Sequence, residues 1–494
     1  MDNSFINFPV KLRDPSLFDG RGLLNGQWRH AFPQKEFPVY EPSSGQILGF
    51  CANLSGVDFR EAIESAHNGY KQYYSSTTAK ERGSLLRRWN ELILENVEDL
   101  SSILSLENGK VLAEARGEIN YAASFVSWFA EEAVRSYGDV IPSSYKDATV
   151  ITTKQPVGVC GVITPWNFPA AMITRKIAPA FAAGCSVVIK PPSETPFSAI
   201  ALAKLALQAG FPRDIIHVVP TKDRSASLEL ATHCLVKKLS FTGSTGVGKL
   251  LAKLAAGTMK RVSMELGGNA PLIVFDDADL DKAVEGTLIC KFRSSGQTCV
   301  CANRIFVHED ILEVFTQRMI ERVQKFKLGR GIDSGVTHGP LVNASALEKV
   351  EIQVQDAIKK GGQLRYGGAK PLEAPAGYFY QPTIITNATK DMLVYQEETF
   401  GPLAAVFSFS DEEEVIALAN DTEFGLAGYI FSENISRVHR VAKRLECGML
   451  GVNTGVISAA ETPFGGVKES GVGREGSKYG LSEYQNIKAV TIAG

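Results

Sequence analysis

The sequence predicts an α/β protein built on a doubly wound parallel sheet. The segment 157–164 is a continuous apolar, β-branched run, which is typical of a parallel strand covered on both faces, and strand patterns recur at 186–190 and 235–241. Helical patterns about ten to fifteen residues long separate them, and two of these helices end at Gly184 and Gly210. The alternation predicts a sheet that binds ligands at the carboxyl ends of its strands.

The elements around these runs complete the first domain. Amphipathic helices dominate the first 150 residues, most clearly over 81–109, but they carry no recognisable chemistry. A further strand is predicted at 215–220. The helix after 235–241 is expected to turn one apolar face inward, made of Val247, Leu250, Leu251 and Leu254.

Strand and helix signals begin again at about residue 267. Apolar runs at 270–277 and 303–310 flank a helical segment, which predicts a second α/β domain. The segment 462–480 is so rich in glycine that we expect it to lack regular structure and to pass between the domains.

Length and composition set bounds on function. A chain of 494 residues is too long for one hydrophobic core, so two or three domains are expected. The net charge of −2 creates no broad field for nucleic acid or anionic lipid. The eight cysteines show neither a disulfide framework nor zinc-ligand spacing, and we expect no metal. Without a leader or membrane-spanning pattern, a cytoplasmic protein that binds neither nucleic acid nor membrane is expected.

Cys299 is the candidate nucleophile. It follows the polar stretch 294–298 rather than apolar neighbours, so we expect its thiol to be exposed and partly ionised. Such a thiolate also requires an oxyanion hole, a base and an acceptor for the covalent intermediate.

A second feature is the turn 242–249, which joins a predicted strand to a predicted helix. Backbone N–H groups at a helix start can face a phosphate, although a turn of this composition is an ordinary helix cap about as often. Its position after a strand of the wound sheet favours the phosphate site.

Seven segments in order resemble the aldehyde dehydrogenase superfamily, over about residues 20 to 490. They are TPWNFP (164–169), KP (190–191), FTGST (241–245), MELGG (264–268), GQTC (296–299), ETFGP (398–402) and PFGG (463–466). The resemblance implies a Rossmann-like cofactor domain over 1–138 and 158–266 and a catalytic domain over 267–470. It also implies a small β extension, 139–157 with 471–494, that joins subunits into homodimers or homotetramers.

Residue types and resemblance agree on the chemistry. Cys299 would attack an aldehyde carbon, and the side-chain amide of Asn167 with the Cys299 backbone N–H would hold the oxyanion. Glu265, whose pKa a glycine-rich apolar setting could raise, would activate the water that hydrolyses the resulting thioester. The alternatives are that Asn167 caps the following helix and that Glu265 is a surface or salt-bridged carboxylate. Gly267 and Gly268 favour close approach of another group to Glu265.

The cofactor implied by the resemblance is NADP or NAD. Its expected binding residues are Thr164, Trp166, Lys190, Ser193, Gly243, Ser244, Glu398 and Phe400. In this scheme Ser244 contacts the pyrophosphate, Glu398 the nicotinamide ribose and Phe400 the nicotinamide ring. Trp166 and Lys190 lie at the adenosine end.

The sequence departs from NAD-selective relatives at Ser193, where these commonly have a glutamate that repels a 2′-phosphate. Serine removes that repulsion and leaves Lys190 for the phosphate, so NADP is expected to be accepted. The neighbouring Glu194 should point the other way if the segment is extended.

Substrate class depends on Arg175 and Arg293. Both are expected to converge on one pocket, and their segments are similar to the succinate semialdehyde dehydrogenase branch, in which such arginines and a serine, here Ser458, grip a distal carboxylate. The alternative is that the arginines pair with structural carboxylates. Cys301 could also form a reversible disulfide with Cys299, or it could merely pack.

The sequence therefore predicts a dehydrogenase of succinate semialdehyde or a similar carboxylated aldehyde. A related enzyme acting on another aldehyde, such as glutarate semialdehyde or an aldehyde of specialised metabolism, is the nearest alternative. A catalytically silent structural protein and a cysteine hydrolase or acyltransferase without a nicotinamide cofactor are alternatives of other classes.

Overall fold

The computed structural model describes residues 8–372 and 376–494. The strands are, in chain order, β1 (Gly22–Leu24), β2 (Gln27–Arg29), β3 (Glu36–Tyr40), β4 (Ile47–Ala52), β5 (Val140–Pro142), β6 (Ala148–Pro156), β7 (Val159–Ile163), β8 (Ser186–Lys190), β9 (Ile216–Val218), β10 (Val236–Thr242), β11 (Arg261–Glu265), β12 (Ala270–Val274), β13 (Ala302–His308), β14 (Gln363–Tyr366), β15 (Thr383–Thr386), β16 (Leu403–Phe409), β17 (Phe424–Gly425), β18 (Ala427–Phe431), β19 (Met449–Val452), β20 (Val467–Lys468), β21 (Gly471–Val472) and β22 (Gln485–Ala493). The α-helices are α1 (Gly56–Ser76), α2 (Ala79–Glu95), α3 (Val97–Asn108), α4 (Leu112–Glu132), α5 (Ala171–Ala183), α6 (Pro196–Gln208), α7 (Arg224–Ser227), α8 (Glu229–Thr232), α9 (Thr245–Ala256), α10 (Leu280–Phe292), α11 (Leu312–Val323), α12 (Ala344–Lys359), α13 (Leu393–Gln396), α14 (Glu412–Asn420), α15 (Ile435–Arg444) and α16 (Ser477–Ser482).

The first sheet has the strand order β2-β1-β9-β8-β7-β10-β11-β21. Its five central strands, β9 to β11 in this order, are parallel, and the edge strands are antiparallel. The chain proceeds from β7 outward to β9 and then returns to place β10 on the other side of β7. The order reverses between β7 and β10, so the predicted doubly wound sheet is confirmed, with its ligand crevice expected where these two strands end.

The apolar patterns explain why these elements form. Every residue of β7 and α5 is buried, and α5 ends where Gly184 adopts a left-handed φ of 95°. The expected inward face of α9 is wrong in part: Val247 and Leu250 are about half exposed, while Leu251 is buried. The helix turns a narrower stripe to the sheet because Gly248 approaches it closely; a Cβ there would lie 2.3 Å from a methyl carbon of Leu266.

The second sheet has the order β14-β15-β16-β13-β12-β18-β19 and is parallel except at β14. At its amino-terminal edge, just before β12 begins, Gly268 N donates to Glu398, and a Cβ on Gly268 would lie 2.5 Å from the carbonyl oxygen of Cys299. Across the described residues, none of the helices is long and apolar enough to span a membrane.

A separate three-stranded sheet of β5, β6 and β22 forms the small extension. The expected boundary at residue 471 is wrong, because β21 pairs with β11 in the first sheet and α16 packs against α4 and α5. The segment 462–480 is also more regular than expected. Its glycines permit close strand pairing: a Cβ on Gly471, at φ 124°, would lie 1.8 Å from the carbonyl oxygen of Met264.

Candidate active site

A strained turn after α10 presents Cys299. Ser294 and Ser295 have left-handed φ angles of 50° and 54°, and Gly296 follows at φ 77°. Only glycine fits at position 296, because a Cβ there would lie 2.1 Å from the carbonyl oxygen of Gly401. Backbone strain held in place by close packing is common at functional sites.

The Cys299 side chain lines a cavity of about 290 Å³. Arg175, Arg293 and Ser458 line the same cavity. The structure therefore brings together four residues that the sequence singled out, from segments far apart in the chain. Tyr121 also lines the cavity; burial raises its pKa, and the charge of Arg175 opposes that rise.

The expectation of a partly ionised thiol is wrong for this state of the protein. Burial, with a smaller contribution from the Glu265 carboxylate, raises the pKa of Cys299 to about 12, against the opposing effect of Arg175. The polar neighbours of Cys299 are themselves buried and hydrogen-bonded to backbone: Gln297 Nε2 donates to the carbonyl of Ser294. The thiol therefore requires a proton acceptor before it can attack.

Asn167 is buried next to the cysteine turn. Its side-chain Nδ2 donates to the backbone carbonyl of Gln297 at 3.1 Å. The backbone carbonyl of Asn167 accepts a hydrogen bond from Lys110 Nζ at 2.8 Å. The alternative role as a helix cap does not apply, because Glu118 accepts from the amides of Ala170 and Ala171 at the start of α5. A side-chain amide has a second N–H, which Asn167 can offer to an oxyanion.

Glu265 is buried and forms an ion pair with Arg175. Arg175 Nη2 donates to Glu265 Oε2, and Arg175 Nε donates to Glu475 Oε2 at 2.6 Å. The salt-bridge alternative therefore holds for both Arg175 and Glu265. Burial nonetheless raises the pKa of Glu265, and Glu265 Oε1 has no hydrogen-bond partner among the described residues.

Arg293 differs from Arg175. It caps the end of α10, its guanidinium lies 5.6 Å from the centre of the Phe168 ring, and it forms no ion pair within the described part of the chain. Its Nε is buried without a hydrogen-bond partner there. Arg293 is thus the cation on the cavity wall that is ready for an anionic group.

Two residues escaped the sequence analysis. Glu475 and Lys176 are buried, and Lys176 Nζ donates to Glu475 Oε1. The adjacent cations at 175 and 176 on an otherwise apolar helix were a signal of a buried acidic partner. Glu475 gave no signal, because it lies in the glycine-rich segment.

The crevice between β7 and β10 has features that suit a dinucleotide. Thr164 and Thr242, at the ends of these strands, have buried hydroxyls with no hydrogen-bond partner among the described residues. Ser244 precedes α9 without a side-chain cap bond, and Gly243 N donates to the Glu265 carbonyl. The amino terminus of α9 can accordingly receive a phosphate.

Glu398 and Phe400 lie at the inner end of this crevice. Gly268 N donates to Glu398 Oε1 at 3.1 Å, and burial raises the pKa of Glu398 to about 7. The Trp166 and Phe400 ring centres are 5.4 Å apart. Trp166 therefore lies beside Phe400, the residue expected at the nicotinamide ring, and its expected placement at the adenosine end stays a prediction.

The expected direction of Glu194 is also wrong. Ser193 Oγ donates to Glu194 Oε2 at 3.1 Å, and both line one small cavity. Residues 193–195 form a bend after β8 rather than an extended segment, and the side chains of Ser193 and Glu194 lie on the same side. Burial lowers the pKa of Lys190, and Glu194 partly restores it.

Cys301 is buried, and its thiol donates to the Lys291 carbonyl at 3.2 Å. Burial raises its pKa, and the nearby Lys291 side chain opposes that rise. Both Cys299 and Cys301 are free thiols in this structure, and their disulfide stays a prediction.

Comparison with known proteins matches this architecture. The model of the "Aldehyde dehydrogenase family" matches residues 28–490. The chain is 53% identical to a succinate-semialdehyde dehydrogenase [NADP(+)] of Schizosaccharomyces pombe over 98% of both chains, and 51% identical to a glutarate-semialdehyde dehydrogenase of Pseudomonas putida over 98% of this chain and all of the relative. A crystal structure of succinate-semialdehyde dehydrogenase from Burkholderia pseudomallei superposes with a TM-score of 0.96 at 50% identity, covering 98% of this chain and all of the other. The chain belongs to the aldehyde dehydrogenase family.

Proposed function

We propose that this enzyme oxidises succinate semialdehyde, or a similar ω-carboxylated aldehyde, to the acid with NADP or NAD. The observation that carries the proposal is the unpaired Arg293 on the wall of the cavity that holds Cys299. Arg293 is partly exposed and lies within electrostatic range of Glu114 on the same cavity wall. Its buried Nε has no hydrogen-bond partner among the described residues, which is unfavourable unless a ligand supplies an acceptor. A planar carboxylate suits a guanidinium fork better than other anions of this size.

The first half-reaction uses Cys299 and Asn167. Cys299 transfers its proton to a base, and its sulfur bonds to the aldehyde carbon while the carbonyl electrons move to oxygen. Asn167 Nδ2 and the Cys299 backbone N–H donate to that oxyanion, and one such donor contributes on the order of 3 kcal/mol. Arg293, with Ser458, holds the distal carboxylate and so fixes the carbonyl above the thiol.

The cofactor would be held by the free amino terminus of α9 with Ser244, by the hydroxyls of Thr164 and Thr242, and by Glu398. A bound oxidised nicotinamide would supply the hydride acceptor that converts the cysteine adduct to a thioester. Lys190 and Ser193 would bind the 2′-phosphate of NADP. The S. pombe relative is named as NADP-dependent. Glu194 beside them weakens, but does not abolish, the preference expected for NADP.

The second half-reaction belongs to Glu265. As a carboxylate it takes a proton from water, the water oxygen bonds to the thioester carbon, and the C–S bond breaks to return the thiolate. The raised pKa of Glu265 makes it a stronger base than an exposed carboxylate. Hydrolysis of the thioester releases the dicarboxylate product.

We also propose that the protein works as a homodimer or homotetramer in the cytosol. The extension of β5, β6 and β22 supports assembly, because its strands expose Val140, Ile487 and Ile492 to solvent. The cysteines, all free thiols in the described structure, suit a reducing compartment.

Glutarate semialdehyde is the second candidate substrate. The P. putida relative carries that name, and one added methylene changes affinity in an apolar pocket by only about 1–3 kcal/mol. Phe168, Met172 and Phe464 provide such apolar walls.

Truncation of Arg293 tests the proposal. Arg293→Ala should lower kcat/KM for succinate semialdehyde about 100-fold or more and leave pentanal within a few fold, because only the first substrate then has an unpaired carboxylate. Steady-state NADPH formation with both aldehydes measures this ratio. Arg318→Ala, which removes an exposed partner of Asp281, is the matched control and should change neither value. Equal losses on both aldehydes in Arg293→Ala would mean that this arginine is structural.

A further inference from the structure

Arg175 connects the substrate cavity to the base. Its guanidinium lines the cavity beside Cys299, while its Nη2 and Nε hold Glu265 and Glu475. Glu265 is not among the residues that line the cavity. Arg175 Nη1 is buried and has no hydrogen-bond partner in the described structure. One guanidinium therefore faces the space for substrate and also holds the carboxylate that hydrolysis requires.

The charges around Arg175 are balanced before substrate arrives. Arg175 and Lys176 carry two positive charges, and ionised Glu265 and Glu475 carry two negative charges. All four side chains are buried. A third carboxylate on Arg175 would leave an uncompensated negative charge in this low-dielectric cluster, which is strongly unfavourable. Arg293 can offset part of this charge, but it does not contact Glu265 in an ion pair.

The two carboxylates inside the cluster are not equivalent. Glu475 has both oxygens engaged, one by Lys176 and one by Arg175, and its pKa is lowered despite burial, which alone would raise it. Glu265 has one oxygen on Arg175 and the other unpartnered within the described residues. Glu265 is therefore the weaker ligand of Arg175 and the one that an incoming carboxylate displaces.

An ion pair with a guanidinium makes a carboxylate a poorer base, because the cation stabilises the ionised form. Glu265 is thus restrained as a base while Arg175 holds it. A carboxylate bound to Arg175 from the cavity side weakens that ion pair by competing for the guanidinium, and its negative charge also favours protonation of Glu265. Both effects make the ionised Glu265 carboxylate a stronger acceptor of a proton from water.

We propose that Arg175 is a positioning residue that couples the substrate's carboxylate to Glu265: occupation of Arg175 by the carboxylate releases Glu265 for hydrolysis of the thioester. This inference rests on the proposed function and adds a specificity step to it. A neutral aldehyde can acylate Cys299, but its thioester is hydrolysed slowly because Glu265 stays paired. The carboxylate thereby contributes to kcat as well as to binding.

Two aldehydes and a free carboxylate test the coupling in the wild-type enzyme. Pentanal should give a burst of NADPH followed by a slow steady state, and succinate semialdehyde should give no burst. Acetate or propionate should raise the steady-state rate with pentanal at least about tenfold without changing the burst amplitude, because either anion can take the place of the substrate carboxylate on Arg175. Propionamide, which is neutral and similar in shape, should have no effect.

Binding of acetate at Arg175 is measured in a separate experiment. The same acetate should inhibit succinate semialdehyde oxidation competitively, and its inhibition constant should equal the concentration that half-activates pentanal turnover. Arg175→Gln should lose the activation by acetate, and Arg175→Lys, which keeps the charge without the fork, serves if the glutamine variant does not fold.

Three results would overturn the coupling: pentanal turnover without a burst, competitive inhibition by acetate without activation, and activation that survives in Arg175→Gln or, if that variant does not fold, in Arg175→Lys. A wild-type enzyme that does not oxidise succinate semialdehyde at all would instead refute the proposed function, so the two failures are distinguishable.

Discussion

Cys299→Ala is expected to abolish aldehyde oxidation while NADP binding survives. The loss should be at least about 10⁴-fold in kcat, because the described residues of the cavity wall include no second thiol to form the covalent adduct. Cofactor binding should be retained because the crevice is built from β7, β10 and α9 rather than from the cysteine turn. Stopped-flow absorbance for turnover and fluorescence titration for NADP binding measure the two properties.

Cys301→Ala is the matched control for this substitution. It removes the same sulfur two residues away, from a thiol that donates to the Lys291 carbonyl and does not line the cavity. It should remain catalytically competent. Retained oxidation in Cys299→Ala, or equal loss in both variants, would contradict the assignment of Cys299.

Glu265→Gln is expected to separate the two half-reactions. Acylation should still release one NADPH per active site in a burst, and the steady state should then fall about 10²–10⁴-fold because the water has lost its base. In the wild type the steady-state rate should rise with pH through the alkaline range, since Glu265 acts when ionised and burial raises its pKa. The variant should lose that dependence. A folded variant without a burst would assign Glu265 to a step before hydrolysis.

The sheet could be predicted from sequence because its signal is local. The strands β7 and β8 are buried on both faces, so each reads as an unbroken apolar run, and Gly184 marks the helix end between them. The catalytic turn was predictable for a similar reason, since the family motif around Cys299 is contiguous.

The electrostatic partners of the site could not be predicted in this way. Arg175 meets Glu265 across 90 residues and Glu475 across 300, and no periodicity links such positions. The raised pKa of Cys299 likewise depends on burial by the assembled domains, whereas its sequence neighbours are polar. Glu194 was misjudged for a local reason: alternation holds only in extended backbone, and this segment bends.

The boundary of the small β extension was also beyond what the sequence could predict. Its strands β6 and β22 pair along their whole length, from Gln485 with Pro156 to Ala493 with Ala148. Residues 471–472, which the resemblance placed in the extension, pair with β11 in the first sheet instead. Gly471 has a φ of 124°, a property of the folded backbone, so the boundary implied by the resemblance falls too early.

The preference of the wild-type enzyme among aldehydes is the most direct test that its cavity binds a carboxylate. The measurement is kcat/KM for succinate semialdehyde, glutarate semialdehyde and pentanal, each with NADP and with NAD. We expect both carboxylated aldehydes to exceed pentanal about 100-fold or more, because Arg293 and Arg175 face the cavity that holds Cys299. A kcat/KM for pentanal equal to or above that of both carboxylated aldehydes, with either cofactor, would contradict a carboxylate-binding role for this cavity.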